Sequence, residues 1–373
     1  MTSKTEVRRG LEGVVVDTTR ISLVDGEAGV LSYRGLPIDD LVSAPFGEVA
    51  ALVVDDVRSE GLAREASAHA ALSARERALV LSLPSETHPM HVLQGITPLL
   101  DRSEAFADRG EAAQGFAIAA KLPALVATHL RREAVQDAHA LDPALQFLER
   151  IGAPDTDIAR RAYSVTQILQ IEHSFNASTF VARACASTLA PVENALSAAF
   201  GTLHGVLHGG ADQAALETAD KVGSPDRAAA FVDECLASKT KVMGMGHREY
   251  KVLDPRARYL KALAAELCAG TPHEQTYLTL VAIEDRFIER MAEVGKPLYA
   301  NLEFYKGVIY RTLGIPTPFF TANFALARVY GYLAHFAESR EDNRLVRPKA
   351  LYTGRDVSCL LYTSDAADER VRV

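Results

Sequence analysis

Tryptophan is absent from this 373-residue sequence, and methionine occurs only five times. Cysteine is scarce too, at four residues: Cys185, Cys235, Cys268 and Cys359. No two of them have CxxC spacing, which excludes the common zinc and redox pairs and leaves scattered thiols suited to a reducing cytoplasm. No basic excess exists: the net charge is −8, which argues against a nucleic-acid partner. No apolar run is long enough to span a bilayer, so no membrane association is expected. The segment from Met1 to Gly10 is polar and basic and lacks the apolar core of a signal peptide. Neither an internal repeat nor a low-complexity linker interrupts the chain.

What remains is rich in Ala and Leu. Hydrophobic residues make up 48%, enough for a substantial core, and the length exceeds one typical domain. Short β-type runs occur only early, at Val14-Val15-Val16 and Val30-Leu31-Ser32-Tyr33, and read as one or two small hairpins. Beyond residue 38 the pattern is helical. Helices are predicted over 61–81, over 111–133 with an interruption or kink at Pro123, and over 157–175 leading into His173. Further helices are predicted over 191–203, 213–220, 256–268, 277–292, 303–313 and 319–340. Glycine-rich breaks separate them at 205–210 and 244–246. The fold class is mainly α with a minor N-terminal β-hairpin.

Several segments carry chemistry. In Leu207-His208-Gly209-Gly210-Ala211-Asp212 the paired glycines let a ligand approach the backbone, and Asp212 reads as a helix cap. A histidine beside a helix N-terminus is held neutral and can donate to a developing oxyanion. In Met243-Gly244-Met245-Gly246-His247-Arg248 a second histidine follows glycines, with Lys251 and Arg256 close behind. The planar fork of arginine suits a carboxylate. His173 and Asn176 lie together in Glu172-His173-Ser174-Phe175-Asn176, and Glu303 offers a carboxylate at a helix start. Arg328 heads a polar stripe with Tyr332 and His335 on one helix, and Arg347 precedes Pro348. Each feature alone has an ordinary explanation: a cap, a solvated loop, a satisfied core histidine.

Their order and spacing together resemble the citrate synthase family, from about Leu11 to Gly354. The matching blocks include Tyr33-Arg34-Gly35, His88-Pro89-Met90, His173 to Thr179, Leu207 to Ala211, Gly246-His247-Arg248 and Asp254-Pro255-Arg256-Ala257. Gly314-Ile315-Pro316, Phe324 to Arg328, Arg347-Pro348 and Leu351 to Gly354 complete them. The resemblance implies a two-domain helical fold, with a large domain at 1–212 plus 324–356 and a small domain at 213–323. It implies an acyltransferase that condenses acetyl-CoA with oxaloacetate, with the coenzyme A thioester as substrate, no permanently bound cofactor and no metal. His208 would stabilise the enolate, His247 would polarise the oxo-acid carbonyl, and Glu303 would take the methyl proton. His173, Asn176, Arg256, Arg328 and Arg347 would bind the oxo acid, Arg347 across the interface of a cytoplasmic homodimer. Arg248 and Lys251 are the candidates for the coenzyme A side.

Three departures stand against the family pattern. Glu303 occupies a place where the family usually has aspartate, and the extra methylene moves the carboxylate by about an Å, a misplacement that can cost roughly 100-fold in rate. Gln170 replaces a family histidine three positions before His173. Residues 357–373 do not continue the family's C-terminal pattern and read as a non-native tail. Rival functions are 2-methylcitrate synthase with propanoyl-CoA, a non-catalytic protein that kept the fold and, ranked lower, a citryl-CoA-cleaving lyase.

Overall fold

The computed structural model describes residues 7–58, 61–133, 135, 138–247 and 249–355. The tail 357–373 and Arg248 lie outside the described residues. The terminal segments, through Thr18 and from Leu345 onward, form one unit, and Thr19–Arg344 form the other. In the terminal unit the described chain is exposed and has one short helical turn, Arg9–Leu11. The run Val14-Val15-Val16 forms no strand, and Val15 is 88% exposed.

The unit Thr19–Arg344 is helical apart from one small antiparallel sheet. Ser22–Asp25 pairs with Val30–Tyr33, and Val30–Tyr33 pairs in turn with Leu36–Pro37. The first turn is closed by Asp25 Oδ1, which accepts from the backbone N–H groups of Glu27 and Ala28. The expected hairpins are therefore present, but they begin at Ser22.

Sixteen α-helices follow among the described residues. Two of them form the centre. Gly110–Arg131 is buried continuously from Gln114 to His129, and Phe320–Glu341 is buried from Ala322 to Phe336; the two pack together. A helix apolar on all sides is a core helix. That packing explains why Pro123 does not end the first of them: neighbours on every face hold the turn whose backbone bond proline removes. The predicted helix 61–81 is in fact two, Gly61–Ala68 and Ala74–Ser82. A reciprocal capping box starts the second. Ser73 Oγ accepts from Glu76 N at 3.2 Å, and Glu76 Oε2 accepts from Ser73 N at 2.7 Å. The helix leading toward His173 ends earlier than predicted, at Gln170, so His173 lies in the loop beyond it.

That loop is clamped against the helix Phe320–Glu341 at Gly331. A Cβ there would stand 2.5 Å from both the Glu172 carboxylate and the Ile171 carbonyl oxygen. Only glycine permits this approach, which brings Arg328 beneath the loop that carries His173. Among the described residues no helix is long and apolar enough to cross a membrane.

Candidate active site

The loop holding His247 is shaped by its pairing with residues 299–301. Gly246 N donates to Tyr299 O at 2.7 Å, Asn301 N donates to Gly244 O at 3.0 Å, and Asn301 Nδ2 donates to Gly246 O at 2.9 Å. Gly244 adopts φ +81°, and a Cβ there would meet the Phe304 ring at 2.8 Å. The glycine is thus required by both conformation and space. This pairing sets His247 beside the start of the helix Glu303–Thr312. His247 Nδ1 accepts from the backbone N–H groups of Glu249 and Tyr250, at 3.0 and 3.1 Å. Two backbone donors on Nδ1 favour the tautomer with the proton on Nε2; Arg256 Nη2, itself a donor, lies 3.3 Å from Nε2, so that edge lacks an acceptor among these groups.

Arg256 immediately precedes the helix Ala257–Cys268 and is buried. Its Nε and Nη2 make a two-point contact with Asp254, both at 2.9 Å. Asp254 Oδ2 also accepts from Leu302 N at 3.1 Å, tying the two loops together. Burial opposes the Arg256 charge, but the Asp254 carboxylate outweighs it and the pKa is raised.

Arg328 is different. It is 2% exposed, its Nε donates to Gln170 O at 2.7 Å, and its guanidinium lies over the Phe324 ring at 4.7 Å. Among the described residues no carboxylate forms an ion pair with it, and burial draws its pKa down. Glu172 acts on it from beyond ion-pair distance, and a buried cation compensated only at that range is expensive unless a ligand supplies a closer anion. His173 completes this side. Its Nε2 lies 3.2 Å from Tyr250 OH, and its ring centroid lies 5.6 Å from that of His247. Burial, then Arg256 and Arg328, hold His173 well below the usual histidine range.

His208 stands at the end of a relay. Tyr332 OH donates to Ser178 Oγ at 2.7 Å, and Ser178 Oγ lies 2.7 Å from His208 Nε2. The serine has one proton and two neighbouring acceptors, His208 Nε2 and Asn176 Oδ1 at 2.8 Å. Given to His208, it leaves the imidazole proton on Nδ1. Burial, then Arg328, lowers the His208 pKa to about 4; burial, then Arg256, does the same for His247. Both rings are neutral at pH 7. Glu303 is near enough to act electrostatically on each.

Glu303 opens its helix, with its N–H donating to Asn301 Oδ1 at 2.9 Å. Its side chain is 18% exposed and forms an ion pair with Lys306, one turn on. Lys306 is wholly buried. Its Nζ also lies 3.3 Å from Asp212 Oδ2, donates to Gln170 Oε1 at 3.2 Å and sits 4.3 Å from the Phe324 ring centroid. Asp212 is not the expected cap. It lies within the helix Ala211–Val222, fully buried, because Gly210 takes the cap position.

Asn176 caps the helix Ala177–Ala186, with Oδ1 accepting from Thr179 N and Nδ2 donating to Thr179 Oγ1 and Ser174 O. Lys251 is exposed on the His247 loop. Arg347 lies in the terminal unit, exposed, donating to Pro348 O at 2.7 Å. Sequence reasoning passed over Lys306, Asp254, Tyr250 and the Ser178–Tyr332 pair. The three-residue spacing of Glu303 and Lys306 on a helix was the available signal for the first.

Residues 10–349 match the family model described as citrate synthase, C-terminal domain. A citrate synthase of Synechocystis is 37% identical over 95% of this chain and 92% of its own length. A 2-methylcitrate synthase of Corynebacterium glutamicum is 36% identical over 94% of this chain and 96% of its own. Among solved structures, the citrate synthase of Pyrobaculum aerophilum superposes with a TM-score of 0.85 at 30% identity, covering 93% of this chain and 92% of that one. The citrate synthase of Thermoplasma acidophilum, in ternary complex with carboxymethyl coenzyme A and oxaloacetate, superposes with a TM-score of 0.82 at 28% identity, over 94% of this chain and 97% of that one. The chain belongs to the citrate synthase family of acyl-transferring enzymes.

Proposed function

We propose that this protein joins the methyl carbon of acetyl-CoA to the carbonyl of oxaloacetate and releases citrate and free coenzyme A. The observation that carries the reading is Arg328, a buried cation with no ion pair among the described residues, beside three histidines whose pKa values are all depressed. Such a site suits a small dianion flanked by neutral hydrogen-bond donors. Arg328 and the free edge of Arg256 would hold the two carboxylates, with Arg347 contributed by the partner of a homodimer. His173 and Asn176 complete the polar wall.

A thioester methyl is a very weak acid, so its proton leaves only if the enolate is stabilised as it forms. Glu303 takes the proton while His208, with its proton on Nδ1, donates to the thioester oxygen. The methylene carbon then attacks the oxo-acid carbonyl while His247 Nε2–H donates a hydrogen bond to the developing alkoxide, which takes its proton from the water admitted for the next step. Water cleaves the resulting citryl thioester to citrate and coenzyme A. Lys251 and Arg248 are assigned to the coenzyme A side, Arg248 from sequence alone. The substrate itself carries the coenzyme, so no bound cofactor or metal enters the scheme. Closure of a small domain, 213–323, over the remainder would exclude water during enolate formation. The reading places the reaction in the cytoplasm.

The test is thiol release from acetyl-CoA on addition of oxaloacetate. Turnover supports the reading, and no release above background at millimolar substrate overturns it. The 36% identical 2-methylcitrate synthase supports a second reading, with propanoyl-CoA as acyl donor. One methylene is worth only about 1–3 kcal/mol of discrimination, so the ratio of kcat/KM for the two thioesters decides between them.

A further inference from the structure

Four side chains at the acyl end of the site meet at one buried point. Lys306 Nζ, with no solvent exposure, touches Glu303 on its own helix, Asp212 on the helix Ala211–Val222 and Gln170 at the end of the helix Asp157–Gln170. The two residues that depart from the family pattern here, Gln170 and Glu303, are thus bridged by a single ammonium. The three helices are locked together at this point. A Cβ on Gly307 would stand 2.8 Å from the Asp212 carbonyl oxygen.

We propose that Lys306 is the positioning residue for the Glu303 carboxylate, and that Asp212 is the counter-charge that keeps the lysine in place when Glu303 becomes protonated. This rests on the reading of Glu303 as the base. Three features of the geometry support it. First, an ammonium is a compact point charge and not a directional fork, so it can move its pairing between two carboxylates without changing rotamer. Second, Glu303 Oε2 and Asp212 Oδ2 both stand at ion-pair distance from Lys306, and no other described residue hydrogen-bonds either atom. The base oxygen is therefore held by the ammonium alone. Third, Gln170 can accept from Lys306 but cannot bring a competing charge.

The cycle balances. At rest the ammonium faces ionised Glu303, and the buried Asp212, whose pKa burial raises to about 6 with a further push from Glu303, binds its proton more readily than a free carboxyl. When Glu303 takes the methyl proton, its charge disappears. The repulsion on Asp212 then relaxes, and Lys306 is neutralised by Asp212 alone. Without that second carboxylate, protonated Glu303 would leave a wholly buried cation unpaired, which is costly. The charged and titratable groups that face this cluster are His208 and His247 from their loops, Asp212 from its helix, and Tyr310 from the Glu303 helix itself. Both histidines titrate near 4 and can share the acid limb of kcat, so it is the movement of that limb on substitution at Lys306 or Asp212 that reports the carboxylates.

The test is the pH dependence of kcat for Lys306→Met, Asp212→Asn and the double variant, with thiol release as the assay. In Lys306→Met two buried carboxylates face each other without a cation. The acid limb moves up by at least one pH unit and kcat at pH 7 falls at least tenfold, while KM for oxaloacetate stays within threefold. Adding Asp212→Asn removes the repulsion and recovers part of the loss. Asp212→Asn alone moves the acid limb down, and it serves as the deciding variant where Lys306→Met does not fold. Acid limbs in Lys306→Met and Asp212→Asn that match wild type, or losses that simply add in the double variant, overturn the inference. Wild-type protein that releases no thiol overturns the functional reading and this inference with it, whereas an active wild type with unmoved limbs overturns only the inference.

Discussion

The two ends of the site solve the burial of charge in opposite ways. At the oxo-acid end, Arg256 is matched by Asp254 while Arg328 has no ion pair among the described residues. That end is incomplete until an anion arrives. At the acyl end, Lys306 is shared between Glu303 and Asp212, so the buried cation is already compensated without ligand. On the proposed reading, the difference follows from what each end must do. A binding site gains affinity by leaving a charge for the substrate to satisfy. A base must be ionised before substrate binds and must tolerate protonation afterwards, so its surroundings supply the compensating charge internally.

This contrast can be broken by substitution, and the largest effect belongs to Arg328, the cation without an ion pair among the described residues. Arg328→Met keeps the volume and the contact with Phe324 but removes the charge. We expect kcat/KM for oxaloacetate to fall by about 10³, most of it in KM, because truncating one member of a buried charge pair costs about 2–5 kcal/mol. The acyl end should respond differently. Glu303→Asp restores the residue usual in the family, yet here the helix start and Lys306 are arranged around the longer side chain. Its expected outcome is a kcat lowered about 10- to 100-fold with KM for oxaloacetate nearly unchanged. A gain in kcat would show that Glu303 is a misfit instead of a member of the cluster.

The two ends also differ in how far the sequence discloses them. His208 and His247 stand out because each adjoins glycines, and Arg256 because it follows a proline at a helix start. Arg328 lies on a periodic polar stripe. These are local signals, and the family resemblance rests on them. The local signals at Lys306 and Asp212 point elsewhere. A glutamate and a lysine three apart read as an exposed surface pair, and an aspartate after two glycines reads as a cap. Their meaning depends on burial by helices more than ninety residues away in sequence, which no local pattern encodes. The fold divides similarly. Most helices follow from 3.6-residue periodicity, but the persistence of the helix through Pro123 depends on neighbours packed around it. The new start at Ser73 was encoded in its capping box with Glu76 and was hidden by the strong helix formers around it.

A smaller effect is expected where the two ends meet. Ser178→Ala cuts His208 off from Tyr332 and leaves its tautomer unset. The account predicts a kcat reduced about tenfold, with normal oxo-acid binding, measured as KM.

The mildest perturbation is pH. His88, His208 and His247 all have folded pKa values near 4, below the ordinary 6.5, chiefly because burial disfavours their charge. The folded state therefore binds fewer protons than the unfolded state between those values, and stability falls as pH drops from 6.5 toward 4. Asp212, raised to about 6 by burial, acts in the opposite sense, contributing stability that is lost as pH rises through 6. Three histidines outweigh one carboxylate, so Tm measured by circular dichroism should be lower at pH 5 than at pH 7.

The most direct test of the division between the two ends is steady-state thiol release by Glu303→Gln, compared with wild type at saturating acetyl-CoA and varied oxaloacetate. If Glu303 removes the methyl proton, kcat falls by about 10³ while KM for oxaloacetate stays within a few fold, because Arg256, Arg328 and His247 are untouched. A Glu303→Gln enzyme that turns over at the wild-type rate would contradict the assignment of the base.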